Sequence, residues 1–164
     1  MPAAALGLED AAWRDVSLAL RRDHEAAHYL TRRLLGSMRN HLHDELIADY
    51  AGMTGATGAF RADWFRAFLG LGEADGRLRL YRGDPPLPDD DLARAAELVD
   101  RCAEQVEAFD RARGGGRSWR DRVGAVLALA SVGLEEIGRR DGAARLAEAC
   151  RRAEAAVRWE ARAG

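Results

Sequence analysis

No lysine occurs anywhere in the chain: all 25 basic side chains are arginine, which excludes Schiff-base chemistry and a phosphate-loop lysine. Nor is there an excess of positive charge. The arginine pairs Arg21-Arg22, Arg32-Arg33, Arg139-Arg140 and Arg151-Arg152 are balanced by 27 acidic residues to a net charge of −2. The arginines therefore read as a coating of helices, and nucleic acid is not an expected partner. Cysteine is scarce, and Cys102 and Cys150 show neither a CxxC nor a zinc-finger spacing, so they read as core thiols. The longest uncharged run, 123–134, is too short to span a bilayer. Residues 1–7 lack the basic start and apolar core of a secretory signal. No membrane partner and a cytoplasmic location are the expectations.

What is present fits one soluble domain over 1–164, with 48% hydrophobic and 32% charged residues. Apolar positions recur at three- and four-residue spacing along nearly the whole length. The predicted fold class is mainly α, a compact bundle of about five to six helices. Its expected parts are a helical hairpin over 20–53 and helices over 57–72, 88–113, 118–138 and 141–162. Upstream of the hairpin, Trp13, Val16, Leu20 and His24 already share a helical face. Phe60, Trp64, Phe68 and Leu71 form an aromatic stripe that should cover the hairpin, with Trp64 a candidate for lining a substrate pocket. Pro88 and Asp89-Asp90-Asp91 suit the positive start of the next helix, which carries Leu92, Val99, Cys102, Val106 and Phe109. Ser118 with Asp121 opens the following one, through Ile137. Asp141 begins a last helix with Leu146, Cys150, Ala153 and Val157 inward. Gly114-Gly115-Gly116 is a flexible break, since no Gly-Lys-Ser/Thr follows. The exception to helix is 76–83, where Leu78 and Leu80 alternate with Arg77, Arg79 and Tyr81 as in a short strand whose backbone could hold an extended substrate, the alternative being a solvated crossover loop pinned to the bundle by its leucines.

The chemistry concentrates between Asp23 and Met53. His24 and His28, four residues apart on one helix, stack on one face and can converge on a single cation. Glu25, about 100° further round, stays near that cation without ligating it, as a base acting on a bound water would. A catalytic zinc site needs a third protein ligand and an open position, and Glu45 is the best-placed carboxylate. Asp49, four residues on, shares the face of Glu45 and can accept the second ring N–H of a ligand histidine. Gly36, Ser37 and Asn40 mark the turn that makes the two helices antiparallel. At 1.5 Å per residue, His28 lies about 12 Å before Gly36 and Glu45 about 7 Å after Asn40, so the two reach a similar level.

His24-Glu25-Ala26-Ala27-His28 followed by Glu45-Leu46-Ile47-Ala48-Asp49 resembles the gluzincin metallopeptidases, the thermolysin-like group, whose pattern is HExxH and a later Glu-x-x-x-Asp. The resemblance covers about thirty residues. It implies zinc held by His24, His28 and Glu45, with Glu25 as catalytic base, Asp49 behind a ligand histidine and Gly52 as the small residue that follows. Those enzymes place a strand before the motif helix, where this chain reads as helix. They also use a downstream His or Tyr at the oxyanion. No histidine lies beyond His43, so Tyr81 or an arginine would serve here.

Several alternatives stay open. His41, four residues before Glu45, is a possible ligand, and a mixed set would suit iron or another divalent metal. His43, one step off that face, is expected at the solvent surface. A dinuclear centre of the ferritin type would require a second Glu-x-x-His, and the chain has only Glu25 to His28. The leading expectation is a zinc-dependent hydrolase acting on a peptide or small amide. Its rivals are a non-catalytic interaction module with a structural metal, a non-hydrolytic metal-dependent tailoring enzyme, and a site-free bundle in which the histidines merely extend an apolar face.

Overall fold

A computed structural model describes residues 7–36, 41–72, 76–81, 83, 85–114 and 118–163, with backbone alone at Leu35 and 157–163. Seven α-helices and one 3-10 turn follow each other among them: α1 Asp10–Leu35, α2 His41–Thr57, α3 Ala62–Leu69, the turn Arg77–Tyr81, α4 Asp89–Arg113, α5 Trp119–Ser131, α6 Leu134–Ile137 and α7 Gly142–Ala163. No described helix is long and apolar enough to cross a membrane.

The hairpin is antiparallel because its cross-helix pairs run in opposite order, His24 with Asp49 and His28 with Asp44. Helix α2 is the centre of the bundle, with His43, Leu46, Ile47, Ala48, Asp49, Tyr50, Gly52, Met53 and Thr54 all buried. A helix buried on nearly every side shows little amphipathic periodicity, which is why its spacing alone says little about its neighbours. It packs against α1 on one side and α5 on another, while α7 lies against α4 and α5. Close approach to α1 depends on small residues. A Cβ built on Gly52 would lie 2.7 Å from the Leu20 carbonyl oxygen and 3.3 Å from His24 Cβ, so only glycine lets the backbones come this near.

Asp110 ties the other side of α2 down. This carboxylate is buried on α4, where Oδ1 accepts the Tyr50 hydroxyl and Oδ2 the Phe60 N–H, both at 2.9 Å. A buried charge is tolerated only when its acceptors are used, and here both are. The rings of Tyr50 and Phe60, Tyr50 and Phe109, and Phe60 and Phe65 form tilted pairs with centroids 5.9 to 6.4 Å apart. Ser118 and Asp121 close a capping box at the start of α5, and Gln105 Oε1 accepts the Ala143 N–H in the first turn of α7.

Several expectations are corrected. The segment 76–83 is not a strand: Arg79 N–H donates to the Gly76 carbonyl at 3.1 Å, which opens a 3-10 turn. A lone strand with no neighbour would leave its backbone groups unpaired, and none is found among the described residues. Leu78 is buried and Leu80 is 79% exposed, so the two leucines do not share a face. The helix expected over 118–138 breaks at Val132 and Gly133, both in extended conformation, into α5 and α6. The third helix is shorter than 57–72, since Thr57 still belongs to α2. Trp64 lies in the core, 3% exposed, rather than lining a substrate pocket. His43 is buried, not solvent-exposed, and its Nε2–H donates to the Leu129 carbonyl at 2.8 Å. Ser37, Asn40, Gly115, Gly116 and the Val157 side chain lie outside what is described. Cys102 and Cys150 are free and buried, and burial pushes their thiols up to about 12 and about 11, which keeps them unreactive.

Gly52→Ala should therefore force α1 and α2 apart. A loss of about 1 to 3 kcal/mol, typical of overpacking, is expected in chemical denaturation, against a much smaller effect for the same change at Gly133, where a Cβ meets nothing within 4 Å.

Candidate metal centre

His24 and His28 come from α1, and Glu45, Asp44 and Asp49 from α2. The side chains of both histidines and of Glu45 are largely buried, at 13%, 22% and 13% exposed. His24 Nδ1 lies 2.8 Å from Asp49 Oδ1, and His28 Nδ1 lies 2.9 Å from Asp44 Oδ2. An ionised carboxylate can only accept, so both bonds assign the proton of each ring to Nδ1. That leaves the two Nε2 atoms facing each other at 3.0 Å with Glu45 beside them, Oε1 3.6 Å from His28 Nε2 and Oε2 3.8 Å from His24 Nε2. Two lone pairs aimed at each other repel unless a proton or a cation lies between them.

The separations fit a cation. Tetrahedral zinc with bonds of ~2.0 to 2.1 Å would space its ligand atoms about 3.3 to 3.4 Å apart; here the two Nε2 atoms are 3.0 Å apart, Glu45 approaches His28 through Oε1 and His24 through Oε2, and one ligand atom from each of the three residues lies within 4.8 Å of the others. Glu45 Oε2 is buried without a hydrogen-bond partner, a cost that coordination would remove. Among the described residues, His24, His28 and Glu45 are the group able to hold a metal ion.

Each imidazole is supported from behind. Asp49 is buried in α2, whereas Asp44 is positioned by Thr31, whose hydroxyl donates to Asp44 Oδ1 at 2.8 Å. Thr31 and Asp44 were missed in the sequence. The available signal was His28-x-x-Thr31 on one helix facing an acid five residues before Asp49 on the other. Burial works to lower the His24 pKa, but the hydrogen bond that His24 donates to Asp49 and the charges of Asp49, Glu45 and Glu25 outweigh it, and His24 is held above its ordinary value. Burial raises the Asp49 carboxyl against the pull of His24.

Arg77 and Tyr81 reach the site from the 3-10 turn. Arg77 Nη2 donates to the Tyr81 hydroxyl at 3.1 Å and stands 3.6 Å from Glu45 Oε2. Burial first, then the charge of Glu45, raises the Tyr81 phenol. Glu25 is exposed on α1, outside the cluster, though its charge is felt at His24. His41, the first residue of α2, is exposed and also outside the cluster. Neither described cavity is at this place. One of about 410 Å³ lies between α4 and α7, and a groove of about 240 Å³ runs between α1 and α5 beside Ala26, Leu30 and Trp119. Carboxylate-backed imidazoles decide the assignment better than cavity size, because they fix which ring atoms are free to bind.

Fold and site together define an α-helical protein with a two-histidine, one-carboxylate cluster on an antiparallel hairpin. The chain belongs to DUF7005, a family of unknown function, whose model matches residues 1–141 and so includes every residue of this cluster. No curated protein and no solved structure matches it.

Asp49→Asn keeps the shape but removes the charge that holds His24 up. In protein stripped of metal, the His24 ring should titrate lower by NMR. A folded pKa above the unfolded 6.5 gives stability that is complete below 6.5 and lost as pH rises through the folded value. The variant should accordingly lose most stability on the acid side, and an unmoved ring titration would contradict the assignment.

Proposed function

We propose that the protein is a zinc-dependent hydrolase, metallopeptidase-like, acting on a peptide or small amide. The observation that carries this reading is the pair of facing Nε2 atoms with their Nδ1 protons fixed by Asp49 and Asp44. Three protein donors leave coordination positions open, and His41 lies away from the cluster, which favours a reactive centre over a closed structural one. When bound, the ion would supply Lewis acidity and an acidified water.

The chain's own groups would do the rest. Glu25, exposed one residue after His24 and outside the cluster, would swing in to take the proton from the attacking water and return it to the leaving amine. Asp49 and Asp44 hold the two rings in the Nδ1–H tautomer. Tyr81 and Arg77 supply donors for negative charge developing on the carbonyl oxygen. Zinc is the first expectation, and iron(II) suits the same donor set. A cytoplasmic setting belongs to this proposal.

Elemental analysis of protein purified without added metal should find about one ion per chain, lost in Glu45→Ala and kept in His41→Ala. Glu25→Gln should keep the ion while hydrolysis of a peptide library falls by about 10²-fold or more. Equal metal content in the Glu45 variant would overturn the ligand set, and an unchanged rate would remove Glu25 from the chemistry.

A further inference from the structure

We infer that the site recognises a ligand bearing an anionic oxygen, a carboxylate or phosphate group, held by Arg77 beside the metal. The inference rests on the metal reading above and names the chemistry of what that centre takes. Arg77 belongs to the 3-10 turn, not to either ligand-bearing helix, and its side chain is 52% exposed. It approaches Glu45 Oε2 only to 3.6 Å, too far for a hydrogen bond, while its Nη2 is steadied by the Tyr81 hydroxyl at 3.1 Å. A guanidinium carries five donors in a planar fork suited to carboxylate and phosphate. Among the described residues, no carboxylate hydrogen-bonds to this one.

Charge explains when the fork becomes available. Asp44, Glu45 and Asp49 bring three negative charges and Arg77 one positive, so the group carries −2 alone and zero with a dication, exposed Glu25 standing outside the count. Without the ion, Glu45 is the counter-charge of Arg77. Once a cation takes that carboxylate, Arg77 loses its partner, and two positive centres face the same opening. An oxyanion entering there meets both. Metal and anion must then each raise the affinity of the other, since linkage is reciprocal. Arg79, on the same turn but exposed and without a contact to Glu45, is the internal control.

The test uses the full chain loaded with cobalt(II), whose visible spectrum reports its ligands. Acetate and inorganic phosphate are titrated separately. At least one should perturb the spectrum saturably. Arg77→Gln should weaken that anion at least tenfold while binding one cobalt per chain, Arg77→Lys should restore part of the affinity, and Arg79→Gln should behave as the unaltered protein. Tighter acetate assigns a carboxylate ligand, tighter phosphate a phosphoryl one. Equal anion affinity in Arg77→Gln, or no spectral response to either anion, overturns the inference. Failure of the unaltered chain to bind cobalt, visible before any anion is added, overturns the metal reading instead.

Discussion

The interface between α1 and α2 governs this molecule, because it brings two imidazoles against three carboxylates in a largely dehydrated seam. Charges removed from water must find partners, and here they do so in pairs: His24 with Asp49, His28 with Asp44. These pairings fix the register of the hairpin alongside its apolar packing. Sliding α2 by one residue would separate both. Gly52 makes the seam close enough for such bonds, since a side chain there would collide with the Leu20 carbonyl.

That seam is held in place from outside. Asp110 fixes Tyr50 on the far side of α2, and His43 bonds the Leu129 carbonyl on α5, so the helix carrying the carboxylates is anchored along its length. A rigid support matters chemically, because the proposed metal centre would depend on ring orientation, and orientation here comes from hydrogen bonds to residues that are themselves locked. Helix α1 contributes the half-buried histidines, and Leu20, Ala27 and Thr31 are its buried side chains among the described residues. The 3-10 turn adds Arg77 and Tyr81 at the edge, so the centre combines a fixed interior with a more exposed rim.

Much of this was legible in residue order. Two histidines at i and i+4 had to share a face, and an acid pair at 45 and 49 had to share another, because helical geometry permits nothing else. The helices over 88–113 and 141–162 follow from their apolar spacing and from the acidic start after Pro88. Less legible was the segment 76–83, where alternating leucines mimic a strand although the described residues include no strand to pair with it. His43 misled for a related reason: a histidine off the site face looks solvated until the α5 carbonyl that accepts its proton is known.

Sequence by itself determined the helical architecture and the inventory of imidazoles and carboxylates, since both are written in local spacing. Only the tertiary structure decided which atoms meet. That Asp44 backs His28, that Thr31 steadies Asp44, that Glu25 and His41 stand outside the cluster and that Arg77 leans on Glu45 all depend on crossing and register between separate elements. Those are set by close contact at Gly52 and by the need to partner buried charge, interactions between residues far apart in the chain that no local pattern encodes.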